Sequence, residues 1–311
     1  MRYYLGIDIG GMSIKGVRVD SEGKILSEAN VETGSDKGAA QMCDNISLLC
    51  DMLCENAEGE LAGVGVGCPG VIDSATGTVV FAGNLNLKNY PLAEELERRI
   101  HTDVKVTNDA NAAALGEARF GAGRQYKNSI LVTLGTGVGG GIIIDGKLFE
   151  GNRSAGAEIG HMVIEYNGER CTCGRRGCFE AYSSATALIK YTRYEMEEDT
   201  GSEMWNTYNL QTCCGKTAFD YMDTDKTAKK VIDRYLKYLN CGLANLANIF
   251  RPEVIMIGGG ISAQGERLTA PLQKMLDETM FGGGDYAPVK VVKATLGNRA
   301  GAMGAAALNM N

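Results

Sequence analysis

Apolar and polar residues alternate along the first part of the chain, a pattern that is typical of β-strands. Glycine-rich and Asp/Gly turns interrupt the alternation, so residues 4–26 are predicted to form three consecutive strands. The same succession of strands and turns returns at residues 130–149. A repeat with so wide a separation predicts two duplicated domains rather than a solenoid, each offering a glycine turn to a shared cleft.

Between the two strand repeats, apolar residues recur with the period of an α-helix. Four stretches have this spacing or are rich in alanine, namely residues 37–56, 92–100, 110–120 and 231–250. Strands are predicted at 104–107 and 254–257, so strands and helices alternate and the fold class is α/β. We interpret the polar stretch 191–226 as an insertion or a helical cap over the cleft.

The composition is that of a globular protein with a small-molecule partner. Hydrophobic residues make up 44% of the 311 positions and charged residues 22%, which is enough to build a core. The net charge of −7 disfavours a nucleic-acid or membrane surface as a partner. No run of about 18 apolar residues occurs, and charged residues come too early for a signal peptide. We therefore expect a cytoplasmic protein whose ten cysteines are thiols or metal ligands.

Glycine clusters are the first candidates for ligand binding. Two G-x-G-x-x-G matches, at 65–70 and 135–140, continue into strand-like sequence instead of opening a helix, which excludes a dinucleotide site. A near match to a P-loop at 141–147 is followed by Leu148, where Ser or Thr would hold magnesium. The turns can bind phosphate through backbone N–H groups, and plain β-turns are the alternative. A third cluster, at 258–260, favours phosphate binding.

Asp8 stands within an apolar strand, directly before a glycine turn. A buried carboxylate is costly unless it is paired or bound to a metal ion. Magnesium beside a nucleotide phosphate would provide such a partner. The sequence therefore predicts a site for a nucleotide and Mg²⁺.

One cluster has the residue types and the spacing of a zinc site. Its members are His161, Cys171, Cys173 and Cys178. Three thiolates and one imidazole complete a tetrahedral site without an open position, so the metal is expected to be structural. Buried apolar cysteines are the alternative, which the surrounding Arg, Glu and Gly residues disfavour. Three other cysteines have helical spacing and are predicted to be core residues, namely Cys43, Cys50 and Cys54.

Amides and carboxylates accompany these motifs. Asn108 and Asp109 follow a predicted strand and open a helix, where capping and catalysis explain them equally well. Glu158 and Glu180 flank the zinc cluster, and Asn84 adds an amide. Such groups suit a polyol, because each sugar hydroxyl both donates and accepts a hydrogen bond.

Taken as a set, the motifs resemble the ROK family of sugar kinases, which has the ribonuclease-H-like fold of the actin-like ATPases. The matching segments are DIGGMSIK (8–15), GCPG (67–70), NDAN (108–111), LGTGVGGG (134–141), GAEIGH (156–161), CTCGRRGCFE (171–180) and IGGGIS (257–262). They stand in family order from residue 5 to about 308. Bacterial glucokinases of the family are the most similar, and its fructokinases, mannokinases and N-acetylhexosamine kinases share the motifs.

The resemblance implies an α/β protein of two domains, residues 1–119 and 120–297, with a cleft between them. The second domain would carry the zinc loop and the helical insertion, and a C-terminal helix at about 298–311 would pack back on the first. ATP, Mg²⁺ and a structural Zn²⁺ are the implied cofactors. A homodimer or homotetramer is the implied assembly.

The resemblance also implies a role for individual residues. Asp109 is the implied general base, and Asp8 organises magnesium. The implied phosphate contacts are Gly10, Gly11, Lys15, Gly135, Thr136 and Gly137. The implied adenosine contacts are Gly258, Gly259 and Gly260. Sugar contacts fall to Asn84, Asn108, Asp109, Glu158, His161 and Glu180. His161 would serve twice, with one ring nitrogen on zinc and the other toward a sugar hydroxyl.

The sequence thus predicts ATP-dependent phosphorylation of a hexose, with O6 of glucose as the first candidate. Fructose, mannose, allose and N-acetylhexosamines stay open, because residues 84–90 lack the tryptophan common in glucokinases. Met12 also replaces the threonine usual in the first phosphate turn. One rival is a sugar-sensing repressor of the same family, for whose DNA-binding helices the early first strand is expected to leave no room. A non-catalytic actin-like ATPase is a second rival, which would not need the sugar cluster.

Overall fold

A computed structural model describes residues 2–310 of the chain, which divides into two compact units. Unit 1 comprises Met1–Leu131, Gly141–Ala157 and Thr295–Asn311, and unit 2 comprises Val132–Gly140 and Glu158–Ala294. The domain limits expected from the sequence, at residues 119 and 297, stay a prediction.

The strands and helices follow one another in the alternation expected of an α/β protein. The strands are β1 (Arg2–Ile9), β2 (Ser13–Asp20), β3 (Ile25–Glu32), β4 (Glu60–Cys68), β5 (Val71–Asp73), β6 (Thr78–Ala82), β7 (Leu87–Tyr90), β8 (Val104–Asn108), β9 (Ser129–Leu134), β10 (Val138–Ile144), β11 (Lys147–Phe149), β12 (Val254–Gly258) and β13 (Lys290–Lys293). The helices are α1 (Ala39–Cys54), α2 (Leu92–Ile100), α3 (Asp109–Phe120), α4 (Glu180–Ser183), α5 (Ala185–Glu198), α6 (Thr217–Tyr221), α7 (Lys226–Phe250), α8 (Glu266–Thr279) and α9 (Ala300–Ala307).

Two five-stranded sheets have corresponding strand orders, β3-β2-β1-β4-β8 and β11-β10-β9-β12-β13. In the first, β1, β2 and β3 form an antiparallel meander, and β4 and β8 run parallel to β1. In the second, β10 pairs with β11 antiparallel and β12 with β13 parallel. A small antiparallel sheet has the order β5-β6-β7. The α/β class and the two predicted meanders are confirmed.

One predicted boundary in the second meander was wrong. The glycines at 135–140 were expected to form a turn that continues into a strand, but β10 already begins at Val138. The reason is the close approach of α3, because a Cβ on Gly141 would lie 2.5 Å from Cβ of Ala114. Glycine is therefore placed in this strand to make room for a helix, and it does not break the strand.

The core of unit 1 lies between its sheet and the helix α1. This helix buries one stripe of apolar side chains, each at most 1% exposed, namely Met42, Ile46, Leu49 and Leu53. Cys43 and Cys50 are buried on the same helix, as predicted. Cys54 is half-buried, and its thiol accepts a hydrogen bond from the Tyr3 hydroxyl at 3.7 Å.

Small residues let α9 pack unusually close to its neighbours in unit 1. A Cβ on Gly6 of β1 would lie 1.8 Å from the carbonyl oxygen of Ala302, and one on Gly304 would lie 1.6 Å from that of Ala112 in α3. Neither backbone atom can move away easily, so glycine is required at both positions. The helix thereby covers β1 and β4 at a distance that no larger side chain permits.

About half of the stretch 191–226 is helical, and it contains the second half of α5, a short helical turn at Glu203–Asn206, the helix α6 and connecting turns. Its Trp205 donates its indole N–H to the carbonyl oxygens of Met196 and Asp199, at 3.0 and 3.1 Å. The first of these bonds satisfies a carbonyl group in the last turn of α5, and the Asp199 carbonyl also accepts from Ser202 N–H at 3.2 Å. The longest helix, α7, is amphipathic, and within residues 2–310 no helix has the length and apolarity needed to span a membrane.

Candidate active site

The carboxyl edge of the first sheet brings two aspartates together. Asp8 near the end of β1 is level with Gly67 of β4, which in turn is level with Thr107 of β8. Parallel strands end at the same edge, so Asp109, which follows β8, lies beside Asp8. Gly67 leaves the space between them open, since a Cβ there would lie 3.8 Å from Asp8 Oδ1 and 3.6 Å from Asp109 Cα.

Burial controls the acidity of both aspartates. Desolvation, followed by the charge of Asp109, raises the pKa of Asp8 to about 6, although Lys15 on the neighbouring strand lowers it. Desolvation also raises the pKa of Asp109, against hydrogen bonds led by the Ala110 N–H, which lower it. Each carboxyl therefore keeps its proton to a higher pH than a free aspartic acid. Carboxyl pairs perturbed in this way are typical of functional sites.

Asn108 is the N-cap of α3. Its Oδ1 accepts hydrogen bonds from the backbone N–H groups of Ala110 and Asn111, at 2.9 and 3.2 Å. Its amide group donates to the carbonyl oxygen of Gly70 at 3.0 Å. The capping explanation is thus confirmed, and it also fixes the backbone from which Asp109 projects.

The first glycine turn, Gly10 to Ser13, is held by its backbone and by Thr33. Gly10 N–H donates to the Ser13 carbonyl at 3.0 Å. Thr33 is fully buried, and it donates its N–H to the Met12 carbonyl at 3.1 Å and its hydroxyl to the Gly10 carbonyl at 2.6 Å. The Met12 side chain is 89% exposed, so the shape of the turn does not depend on it. Space above Gly11 is open to a ligand, because a Cβ there would meet no atom within 4 Å.

Glu150 fixes a loop next to β8 in unit 1. Its two oxygens accept hydrogen bonds from the hydroxyls of Thr107 at 2.7 Å and Ser74 at 2.8 Å. The Ser74 hydroxyl also lies 2.5 Å from that of Ser154, whose φ of 57° is in the left-handed region. Such backbone conformations persist only where the surroundings hold them. The network therefore holds this loop against Thr107, directly before the capping asparagine.

The second glycine turn, Gly135 to Gly137, is held by the start of α5 in unit 2. Gly135 N–H donates to the Gly137 carbonyl at 3.0 Å, which closes the turn. The Gly135 carbonyl accepts from Ala185 N–H, and the Thr136 carbonyl from the Thr186 hydroxyl, both at 2.8 Å. The carbonyl groups of the turn are thus fixed by the helix.

The third glycine cluster lies against the strand that leads into this turn. Gly258 ends β12, and Gly259 has a left-handed φ of 77°. A Cβ on Gly259 would lie 2.5 Å from the carbonyl oxygen of Leu134, the last residue of β9. A Cβ on Gly260 would meet nothing within 4 Å. Two of the predicted nucleotide segments are therefore neighbours in unit 2.

The predicted zinc ligands converge. The ligand atoms of His161, Cys171, Cys173 and Cys178 all lie within 4.8 Å of one another. His161 Nδ1 is 3.6 Å from Cys171 Sγ, and the sulfurs of Cys173 and Cys178 are 3.7 Å apart. Left-handed glycines at 174 and 177, with φ of 88° and 77°, fold the segment back on itself. Three thiols and one imidazole at this spacing fit a tetrahedral metal ion.

Glu180, the first residue of α4, contacts both the second glycine turn and the zinc loop. Its Oε2 accepts a hydrogen bond from Val138 N–H at 3.0 Å. Its Oε1 accepts from the Thr172 hydroxyl at 3.2 Å and lies 3.7 Å from Cys171 Sγ. A Cβ on Gly137 would lie 2.2 Å from Oε2, so the carboxylate itself requires glycine there.

The remaining predicted sugar contacts are more exposed. Glu158 has an exposed side chain, and its carbonyl accepts from His161 N–H at 3.1 Å. Between them, Gly160 packs on β10, where a Cβ would lie 2.0 Å from the Val138 carbonyl oxygen. Asn84 is exposed on the short helical turn Gly83–Leu85.

Three residues that support the site were missed by the sequence reasoning, namely Thr33, Glu150 and Gly301. The third is buried in α9, where a Cβ would lie 2.7 Å from Asp8 Cγ. The absence of its side chain thus makes room for the Asp8 carboxylate. No local pattern signals any of the three, because their partners are distant in sequence.

Comparison with known proteins identifies the group to which this fold and site belong. A solved structure with a TM-score of 0.82 is that of a ROK family glucokinase from Streptomyces griseus in complex with glucose and AMPPNP, 36% identical over 98% of both chains. The glucokinase of Thermotoga maritima is 38% identical over 98% of this chain and 96% of its own length, and that of Halalkalibacterium halodurans 37% identical over 97% and 93%. Xylose repressors are also relatives, at 29% identity.

The expected ribonuclease-H-like fold of the sugar kinases is confirmed by these structural neighbours. The family model described as "ROK family" matches residues 4–311. The chain belongs to the ROK family.

Proposed function

We propose that the protein is an ATP-dependent hexose kinase that transfers the γ-phosphoryl group of ATP to a sugar hydroxyl, with O6 of glucose as the preferred acceptor. The glucokinases among its relatives support the substrate pair. The observation that carries the proposal is the pair of desolvated carboxyls, Asp8 and Asp109, at the carboxyl edge of the sheet. A phosphoryl transfer needs one such group as a base and another to organise magnesium.

In this proposal Asp109 is the general base. Its raised pKa brings the carboxyl closer to the working pH, which makes it a better proton acceptor than a free aspartate. The proton of the attacking sugar hydroxyl passes to a carboxylate oxygen of Asp109 as the sugar oxygen bonds to the γ-phosphorus. The bond from that phosphorus to the β-phosphate oxygen breaks, and ADP leaves. Asp8 would hold Mg²⁺, whose charge neutralises the phosphate oxygens.

The glycine turns would bind the nucleotide. Phosphate groups would lie against the turns at Gly10, Gly11, Gly135, Thr136 and Gly137, and the ammonium group of Lys15 would add a charge. The N–H groups of Gly10 and Gly135 close the turns, so the donors to phosphate would be those of Gly11, Thr136 and Gly137. The adenosine would lie against Gly258, Gly259 and Gly260. The open space above Gly11 and Gly260 supports these roles, because a phosphate or a ribose can come close to the backbone there.

The sugar hydroxyls would be bound by Asn84, Asn108, Asp109, Glu158, His161 and Glu180. Zn²⁺ is the metal we propose for the Cys/His cluster, where it would have a structural role. The Nδ1 atom of His161 faces Cys171 within the cluster. The opposite ring nitrogen would then be left to hydrogen-bond a sugar hydroxyl, with its tautomer fixed by the metal.

We further propose a homodimer or homotetramer that acts in the cytoplasm as part of carbohydrate metabolism and binds no nucleic acid. None of the ten cysteines forms a disulfide, as is usual for proteins of a reducing compartment. The acidic net charge of −7 argues against a nucleic-acid partner.

A coupled assay of ADP release tests the proposal with glucose, fructose, mannose, allose and N-acetylglucosamine in parallel. We expect glucose to give the highest kcat/KM and the product to be the 6-phosphate. Tight sugar binding without ADP release for any sugar would favour the sugar-sensing regulator instead. Turnover with another hexose as the best substrate would keep the kinase and correct its acceptor.

A further inference from the structure

We propose that Glu180 is a positioning residue that ties the second glycine turn to the Cys/His cluster, so that nucleotide affinity depends on the state of the cluster. The inference rests on the proposed kinase function, in which this turn binds phosphate. It adds a second role to the sugar contact proposed for the same side chain.

The two oxygens of the carboxylate have partners in different segments. Oε2 accepts from Val138 N–H, directly after the turn, at 3.0 Å. Oε1 accepts from the Thr172 hydroxyl, which lies between two cluster cysteines, at 3.2 Å. Hydrogen bonds to an ionised acceptor are stronger than neutral ones. The Glu180 carboxylate therefore links the loop that carries the cluster cysteines to the start of β10.

The backbone of Glu180 is held in place by its neighbours, so Glu180 cannot shift as a whole when Val138 or Thr172 moves. The preceding residue, Phe179, is fully buried, and its N–H donates to the Met162 carbonyl at 2.8 Å. The Phe179 ring fills the space beside Gly242 of α7, where a Cβ would lie 2.2 Å from a ring carbon. Only the side-chain torsions of Glu180 can respond when a partner is lost.

A change in the side-chain torsions of Glu180 would affect the second glycine turn. Oε2 occupies the position that a side chain on Gly137 would need, at 2.2 Å from an ideal Cβ. A rotation of the carboxylate therefore removes the acceptor of Val138 N–H and the packing against Gly137 at the same time. The turn would then lose one of the contacts that fix it, besides those made by the start of α5, and we expect its affinity for phosphate to fall.

The test separates nucleotide binding from sugar binding. Thr172→Val removes the hydroxyl that holds Oε1 and replaces none of the proposed metal ligands or substrate contacts, although Glu180, itself a proposed sugar contact, loses one of its partners. Glu180→Gln leaves one acceptor oxygen where two are needed. Thr200→Val is the matched control, because Thr200 is an exposed threonine elsewhere in unit 2. The readouts are calorimetric Kd values for a non-hydrolysable ATP analogue without sugar and for glucose without nucleotide, together with zinc content and Tm.

We expect Thr172→Val to raise the Kd of the analogue about fivefold, which is less than the full effect of one hydrogen bond to a charged group, because the loss reaches the nucleotide only through the turn. Its glucose Kd should rise less than its analogue Kd, because the other proposed sugar contacts stay in place, and its zinc content and Tm should equal those of the wild type. Glu180→Gln should raise the Kd of the analogue about tenfold in the absence of sugar, which a pure sugar contact would not do. Thr200→Val should change neither Kd.

Metal removal supplies an independent arm of the test. Stripping the cluster with a chelator should raise the Kd of the analogue for the wild type, and raise it less for Thr172→Val, in which the connection is already broken. An analogue Kd that is unchanged in both Thr172→Val and Glu180→Gln would overturn the proposal. It would also be overturned if Thr172→Val bound the analogue and glucose less tightly by the same factor and had a lowered Tm. A wild-type chain that binds no analogue would overturn the kinase function itself, before any variant is compared.

Discussion

Replacing Asp8 with asparagine is expected to stabilise the protein and at the same time to remove most of its activity. The carboxyl is held in a desolvated position beside Asp109, which penalises its ionised form. Asparagine has nearly the same shape and no charge, so the variant keeps the packing and avoids the penalty. Activity should fall by about 10²–10³, the usual effect of losing one group that stabilises developing charge.

The size of the stabilisation follows from the pKa of Asp8. The shift from 3.8 to about 6 amounts to about two pKa units. Each unit corresponds to 1.36 kcal/mol, so the ionised carboxylate costs the folded state about 3 kcal/mol. For a chain of this size a change of about 3 kcal/mol raises Tm by about 6 °C.

The pH dependence has a definite sign. Because the folded protein binds the proton more tightly than the unfolded chain, the cost is fully present above about pH 6 and declines as the pH falls toward 3.8. The stability difference between Asp8→Asn and the wild type should therefore be about 3 kcal/mol at pH 8, and about half of that at pH 5.

Thermal unfolding of both proteins between pH 5 and 8, without added magnesium or nucleotide, measures this difference. Asp51→Asn is the control, because Asp51 is an exposed carboxyl on α1 of the same unit, and its Tm should follow that of the wild type. A Tm of Asp8→Asn at or below that of the wild type at pH 8 would refute the reasoning. A gain in Tm that is the same at every pH would also refute it, since that result would not come from ionisation.

Four further predictions concern the same site and its support. Asp109→Asn should keep sugar and nucleotide Kd within about threefold and lower kcat by about 10²–10⁴, as steady-state and binding measurements can decide. Gly301→Ala should raise the KM for Mg·ATP with little change in the sugar KM, because its methyl group would displace the Asp8 carboxylate. Gly63→Ala is the control, because the nearest atoms to its methyl group would belong to the flexible side chain of Asn309. Gly304→Ala should lower Tm by several degrees, because its Cβ would collide with backbone atoms of α3, and a Tm equal to that of the wild type would contradict the close packing. Elemental analysis of protein purified without a polyhistidine tag should find one zinc per chain, and active protein free of zinc would disprove the metal site.

Much of the fold could be predicted because its signals are local. The meanders follow from alternation and glycine turns, and α1 and α7 follow from their apolar stripes. The four residues of the Cys/His cluster lie close in sequence, so their spacing alone indicated the cluster that the structure brings together. The start of β10 was mispredicted because Gly141 is selected by a distant helix, which no local pattern reports.

The support of the site was not predictable for the same reason. Thr33 acts on a turn more than twenty residues before it, and Glu150 acts on Thr107 across 43 positions. Gly301 makes room for Asp8 from the opposite end of the chain. Which residues carry the chemistry stays a prediction from the sequence, whereas the positions of these residues depend on contacts that exist only in the folded chain.

The close packing of α9 on β1 has a consequence for how the protein is made. The ribosome completes β1 first and α9 last among the elements of unit 1, and the whole of unit 2 is synthesised between them. The sheet edge that carries Asp8 therefore stays uncovered by α9 while nearly the entire chain is synthesised. Contacts between residues so far apart in sequence form slowly, and the uncovered strands can aggregate or bind chaperones during that interval. The buried environment of Asp8 would thus be completed in one of the last steps of biosynthesis.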